Sequence, residues 1–214
     1  MNVIAFSLWG DSPRYTLGAL QNASLAKIVY PDWVCRFYVG TDTPEYIINL
    51  LSDFDNTEIV RMGEAGSTAH GMFWRFKAAS DPKVLNLIVR DCDSRLWLRE
   101  AKAVEEWLAS DKDFHIMRDH EYHNTQILGG MWGVRNGLLK DMESLIARYK
   151  TGDYWQADQE FLKAVIYPIV EDNTLEHDEF FNRKHFVGQA YAGCGRILDA
   201  EEYFQEFIKG EMNA

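Results

Sequence analysis

Cysteine is scarce in this 214-residue chain: Cys35, Cys92 and Cys194 are an odd, widely scattered set without metal-site spacing. That argues against a disulfide framework or a thiolate zinc site and fits a reducing compartment. Proline is sparse too. Pro13, Pro31, Pro44, Pro82 and Pro168 fall where apolar patterns break, so they punctuate elements instead of forming a linker. No apolar run approaches the ~18 residues of a membrane span. Basic residues number 22 against 33 acidic ones, and the net charge of −11 argues against a nucleic-acid backbone as partner. A nucleotide remains compatible, because a bound cation reverses the local field. The opening Met1-Asn2-Val3-Ile4 has no basic leader before its apolar part, so no signal peptide and a cytoplasmic location are expected.

Hydrophobic residues make up 47% of the chain, enough for one globular α/β domain over residues 1–214 with a sizeable core. Its last residues carry no stop signal, which leaves room for it to be the N-terminal domain of a longer protein. Aromatics are plentiful, with 7 Trp, 10 Tyr and 12 Phe. Most belong in a core, although sugar clefts also use exposed aromatic faces.

Taken in order, residues 3–8 read as a buried strand, and Ser12-Pro13 as a cap opening a helix from Arg14 to Val29. Leu17, Leu20, Leu25 and Ile28 would form the apolar face of that helix. Trp33 to Val39 is a second strand, a short helix runs to Leu51, and Thr57 to Arg61 is a third strand. This β-α-β-α-β order predicts a parallel sheet with right-handed crossovers. Residues 63–71 hold three glycines and read as a mobile loop, followed by a helix from Met72 to Ala79. Beyond lie a helix at 98–109, a strand at 114–117 and a strand-like stretch, Gln126 to Val134, containing Gly129-Gly130. Glycines inside a strand mark close approach of a ligand or another backbone. Helices are expected at 138–149 and 157–166. From Thr174 the pattern turns irregular, with a strand near Phe186-Val187 and a terminal helix from Ala200 to Ile208.

The most informative stretch is Val84-Leu85-Asn86-Leu87-Ile88-Val89-Arg90-Asp91-Cys92-Asp93. Its apolar run is too short for a helix and suits a strand buried on both faces. Ligands in open α/β sheets sit outside the carboxyl ends of such strands. Two carboxylates there repel unless solvated or bridged, and a divalent cation carrying a phosphorylated ligand is the natural bridge. A plain strand-end turn with capping aspartates is the bland alternative.

Leu87-Ile88-Val89-Arg90-Asp91-Cys92-Asp93-Ser94 resembles the DxD signature of nucleotide-sugar glycosyltransferases with the GT-A fold. Ala157-Asp158-Gln159-Glu160-Phe161-Leu162 resembles the Asp-Gln-x-x-Leu motif of the family 8 and related (family 34-like) transferases. Ile127-Leu128-Gly129-Gly130-Met131-Trp132-Gly133 stands where that fold keeps the strand facing the donor sugar. The likeness spans residues 3–190, and small viral capsid- or bacterial capsule-type transferases resemble the chain most.

The resemblance implies an α/β GT-A domain: a Rossmann-like nucleotide-binding half, a mostly parallel central sheet flanked by helices, and a smaller acceptor-side portion. It implies a metal-dependent transferase moving a hexose or deoxyhexose from a nucleoside-diphosphate sugar, UDP-sugar first, to a glycan or glycoprotein. Asp91 and Asp93 would bind Mn²⁺ or Mg²⁺, with Asp91 also facing the ribose. Ser7, Gly10, Tyr15 and Arg75 would serve the nucleotide, as would Asp91, Gly129 and Gly130 on the donor side. Asp158 and Gln159 would be catalytic, touching the transferred sugar or the acceptor. A third metal ligand is expected from a late histidine. His177 is the first choice, because His185 lacks the Lys-Pro-Trp that should follow its His-Phe-x-Gly.

Rival readings are a haloacid-dehalogenase-type phosphohydrolase, a nucleotidyltransferase and an inactive glycan- or nucleotide-sugar-binding module. Three β/α units precede the signature, which speaks against the first. Leu8-Trp9-Gly10-Asp11-Ser12 is not the basic, glycine-rich loop the second requires.

Overall fold

A computed structural model describes residues 1–65, 68–120, 122–150, 152–178 and 184–186. Its strands are β1 (Asn2–Leu8), β2 (Trp33–Val39), β3 (Thr57–Arg61), β4 (Asn86–Val89), β5 (Phe114–Arg118), β6 (Trp132–Arg135) and β7 (Thr174–Asp178). They form one seven-stranded sheet in the order β3-β2-β1-β4-β6-β5-β7. β1 to β4 are parallel, β6 runs antiparallel to β4 and β5, and β7 is parallel to β5. Among the described residues no helix lies between β5 and β6, and β6 pairs antiparallel with β5.

β1 is buried on both faces. Val3 and Ala5 join Leu87, Val89, Phe76, Trp132 and Phe161 on one side. Ile4, Phe6 and Leu8 join Ile88, Trp107 and the first helix on the other. That continuous apolar run is what a central parallel strand requires. The helices are α1 (Pro13–Val29), α2 (Glu45–Ser52), α3 (Thr68–Phe73), α4 (Leu98–Leu108), α5 (Met142–Arg148), α6 (Ala157–Phe161) and α7 (Tyr167–Val170). Trp74–Ser80 is a 3-10 segment, and a π-helical turn, Leu162–Ile166, joins α6 to α7. Among the described residues no helix is long and apolar enough to cross a membrane.

Several expectations need correcting. Leu17 and Ile28 of α1 are exposed; its buried face is Thr16, Gly18, Ala19, Asn22, Ala23, Ala26 and Val29. Small residues are required because a Cβ on Gly18 would lie 2.0 Å from the Cys92 carbonyl oxygen. Ser12 caps α1 through its backbone carbonyl, which accepts from Tyr15 and Thr16, and makes no side-chain cap bond. Helical structure resumes at Thr68, earlier than the glycine-loop reading placed it. Within Gln126 to Val134 only Trp132 onward is strand, and the glycines lie in the preceding loop. The helix expected at 138–149 starts at Met142. Thr174–Asp178, read as irregular, is a strand. Phe186 is buried but not in a strand, while Val187 and residues 200–208 lie outside the described residues.

Between the sheet and α4 lies a buried histidine pair. His115 on β5 stacks on Trp107 with ring centroids 5.5 Å apart, and its Nε2 is 2.8 Å from His177 Nδ1. His177 Nε2 reaches Glu106 at 3.3 Å. Burial, reinforced by His177 and Arg90, holds His115 well below the usual imidazole range; burial also lowers His177 although Glu106 opposes it. Below the ordinary histidine value of ~6.5 the unfolded chain therefore binds more protons than the folded one, and stability is lost as pH falls. The melting temperature should drop between pH 7.5 and 5.5, as the unfolding free energy falls by up to about 1.4 kcal/mol per pH unit for each histidine. His115→Gln should flatten that drop in a thermal-melt series. A pH-independent melt of the unaltered chain over this range would contradict the assignment.

Candidate active site

Past Val89 the side chains of β4 alternate. Arg90 turns to the α4 side and bonds Glu100 at 2.9 Å, both groups being buried. Asp91 consequently faces the opposite way, toward the 3-10 segment. That segment presents Arg75, whose own N–H donates to Ser7 Oγ at 3.1 Å. Arg75 as a whole is 5% exposed. Its Nη1 donates to the Arg90 carbonyl at 3.1 Å and pairs with Asp91, while Nη2 reaches Asp158 Oδ2 at 3.2 Å. One buried cation thus joins the DxD loop to α6. Burial opposes the charge on Arg75, but Asp91 and Asp158 outweigh it and hold its pKa above the ordinary arginine value. Burial raises the Asp158 pKa against the pull of Arg75.

Gly129 and Gly130 make room for these carboxylates. A Cβ on Gly129 would stand 2.3 Å from Asp158 Oδ2, and one on Gly130 would stand 2.0 Å from Asp91 Oδ2. The groups that approach the pair are side-chain carboxylates, where a ligand or another backbone was expected, and the backbone there is a loop. The second aspartate is held from α1, where Arg14 Nε and Nη2 both donate to Asp93 Oδ2, at 2.9 and 2.6 Å. Asn22 of the same helix pins the loop: its Nδ2 donates to the Ser94 carbonyl at 2.7 Å and its Oδ1 accepts from the Leu96 N–H at 3.1 Å. Cys92, between the aspartates, is buried, its Sγ 3.3 Å from the Ser7 carbonyl. Burial raises its thiol, which makes it a poor nucleophile. Ahead of Asp158, Gln156 adopts a left-handed conformation, φ 76° and ψ 8°, uncommon for a residue with a side chain. The chain turns there, and Asp158 enters the protein.

These groups line a cavity of about 470 Å³ at the carboxyl edge of β1 and β4. Ser7, Tyr15, Arg75, Asp91, Asp93, Gly129, Gly130, Asp158 and Gln159 all face it. Gly10 does not line it; with φ +72° it forms the turn after β1. His177 is not brought to Asp91 and Asp93. It is buried on β7 with both ring nitrogens turned to His115 and Glu106, which removes the reason for making it their co-ligand. His185 is exposed and also absent from the lining. Sequence reasoning missed Arg14, Gln156 and Trp155, had Trp9 only within the Ser7–Asp11 loop expected at the nucleoside, and weighed an acceptor-side role for His123 against a solvated polar loop at 118–123. Arg14 is the second residue of α1, a position that no pattern separates from other exposed helix residues.

No family model and no curated protein matches the chain. Solved structures do. A glycosyltransferase involved in the glycosylation of the major capsid of PBCV-1 superposes with TM-score 0.50 at 14% identity, covering 83% of this chain and 82% of that one. The galactosyltransferase LgtC, solved with donor and acceptor sugar analogs, gives 0.57 at 12%, covering 98% and 94%. A mannosyltransferase from Pyrobaculum calidifontis, solved with GDP-Man and Mn²⁺, gives 0.56 at 13%; 88% of this chain covers 56% of that one. A 4-diphosphocytidyl-2C-methyl-D-erythritol synthase from Anaerococcus prevotii gives 0.54 at 10%, covering 97% and 96%. At these identities the likeness shows the fold: the chain has the α/β architecture of GT-A glycosyltransferases.

Arg75→Met should leave Asp158 buried without its cation and cost about 3–5 kcal/mol in urea denaturation. Adding Asp158→Leu should recover much of that loss. An additive double variant would show that the two side chains do not depend on each other.

Proposed function

We propose that the protein is a metal-dependent glycosyltransferase that moves a hexose or deoxyhexose from a nucleoside-diphosphate sugar to a glycan or glycoprotein. A UDP-sugar is the first-choice donor, and residues 1–214 act as one transferase domain. The observation that carries this reading is the Arg75 bridge: it joins a carboxylate of the strand-end pair to a carboxylate of α6 across one cavity. A diphosphate site and a sugar site are thereby held at a fixed separation.

Asp91 and Asp93 would hold Mn²⁺ or Mg²⁺. Both are hard oxygen donors, and each gives one oxygen to an arginine. Asp91 Oδ2 and Asp93 Oδ1 carry no hydrogen-bond partner among the described residues. The described residues contain no cluster of three or more His, Cys, Asp or Glu suited to a metal. Two carboxylates therefore suit a cation that shares its remaining positions with phosphate oxygens and water, as Mg²⁺ does. When bound, the metal supplies Lewis-acid stabilisation of the departing diphosphate.

The protein's own residues do the rest. Arg14 offers a second positive charge beside the diphosphate. Trp9 and Tyr15 offer rings for the nucleobase at the β1 end of the cavity. Asp158, buried and paired with Arg75, suits a fixed negative charge beside an oxocarbenium-like sugar better than a mobile proton acceptor. Gln159 follows it at the cavity wall, where its amide can bond sugar hydroxyls.

Calorimetric titration with UDP-, GDP- and dTDP-sugars, with and without Mn²⁺, tests the reading. Asp93→Ala should abolish metal-dependent donor binding while leaving the melting temperature nearly unchanged. Metal-independent binding, or none, would contradict it. Release of inorganic phosphate from phosphorylated compounds would favour a hydrolase, and pyrophosphate release from a nucleoside triphosphate a nucleotidyltransferase.

A further inference from the structure

The transferase reading leaves one task without a residue. The acceptor hydroxyl must lose its proton, and Asp158 is occupied by Arg75. The same cavity has a second titratable wall in the loop after β5. Asp119 is fully buried there, and its Oδ1 lies 2.9 Å from His123 Nδ1. Arg99 of α4 stands 3.7 Å from Asp119 Oδ2 and is itself seated on the Phe186 ring, 4.3 Å from its centroid. The His123 N–H donates to the His120 carbonyl at 2.8 Å, closing the turn that carries the ring. The His123 side chain is 23% exposed and lines the cavity with Asp91 and Asp158.

This arrangement fixes more than position. An ionised carboxylate only accepts hydrogen bonds, so Asp119 keeps the proton of the neutral imidazole on Nδ1. Nε2 then carries the lone pair. Nδ1 points to the fully buried carboxylate, so the exposed ring edge is the Nε2 edge. Among the described residues Nε2 has no hydrogen-bond partner. A carboxylate that needed only neutralising already has Arg99 beside it. The histidine adds a base of fixed tautomer, facing the space where a second substrate enters.

From this geometry we infer that His123 is the general base of the transfer and that Asp119 is its positioning residue. The inference rests on the transferase reading. The acceptor O–H proton passes to His123 Nε2 as the acceptor oxygen bonds the anomeric carbon. The bond from that carbon to the diphosphate oxygen breaks, and its electron pair leaves with the diphosphate. The imidazolium then returns its proton to solvent through the exposed ring edge. Attack and departure occur on opposite faces in one displacement, so the anomeric configuration inverts. Neighbouring Tyr122, 78% exposed, and Trp155, 70% exposed, also line the cavity and offer ring faces to a sugar acceptor.

Water can stand in for the acceptor in the test. UDP-glucose, UDP-galactose, GDP-mannose and dTDP-glucose are each supplied with Mn²⁺, and release of nucleoside diphosphate is followed alongside donor Kd. His123→Ala should slow release by about 10²–10⁴-fold, the usual share of a general base. Donor Kd should stay within twofold, and added imidazole should restore part of the rate. Asp119→Asn should lower kcat in the same direction with Kd unchanged. Independently of turnover, nitrogen NMR should find His123 as the Nδ1–H tautomer in the unaltered chain and not in Asp119→Asn. Proton NMR of the freshly released sugar should show the anomer opposite to the donor's.

If the unaltered chain binds none of the donors, or binds them and never releases diphosphate, the transferase reading fails and this inference falls with it. Three outcomes overturn the inference alone. They are an unchanged rate in His123→Ala, loss of donor affinity in that variant, and a sugar of retained configuration.

Discussion

A guanidinium with almost no access to water is tolerable only when its charge is answered nearby, because desolvating an ion costs several kcal/mol. Arg75 is answered twice, by Asp91 at the end of β4 and by Asp158 at the start of α6. These carboxylates are far apart in sequence, and each would repel the other if the cation were absent. The bridge therefore determines how the loop after the fourth strand meets the helix that follows the sheet. Each partner is also polar enough to be useful to a ligand: Asp91 remains 41% exposed although Asp158 is hidden. The result is a solvated carboxylate and a buried one, with a common cation behind them.

The surrounding scaffold makes this pairing rigid. Ser7 receives the backbone N–H of Arg75 and so ties the 3-10 segment to the first strand. Asn22 bonds the DxD loop at Ser94 and Leu96, and Gly18 lets the loop lie directly on α1. Gly129 and Gly130 let both carboxylates rest against backbone. A methyl group at any of these glycines would occupy space held by an oxygen or a carboxylate. Such a site is held by ordinary packing and hydrogen bonds and needs no unusual covalent chemistry.

The parallel half and its carboxyl edge were legible in the chain because local signals agreed there: apolar runs of strand length, proline and glycine breaks, and abrupt carboxylates after Val89. Four features were hidden, each for a nameable reason. β7 looked irregular because Glu176 and Asp178 break its apolar pattern, yet Arg118 on β5 pairs with both. His177 resembled a ligand because its polar partners, His115 and Glu106, come from distant segments. The buried face of α1 was misjudged because leucine and isoleucine suggested burial, whereas contact with the loop demanded alanine and glycine. Arg14 needed tertiary geometry, because it reaches the site from the exposed start of a helix.

In the proposed reading the DxD pair and Asp158 belong to a single ligand site, with Arg75 as the link. A crystal structure with a nucleoside-diphosphate sugar and Mn²⁺, with the metal located by anomalous scattering, tests that most directly. The predicted result is metal and diphosphate at Asp91 and Asp93, the sugar against Asp158 and Gly129-Gly130, and Arg75 still joining the two carboxylates. A metal bound away from Asp91 and Asp93, or a sugar seated out of reach of Asp158, would contradict it.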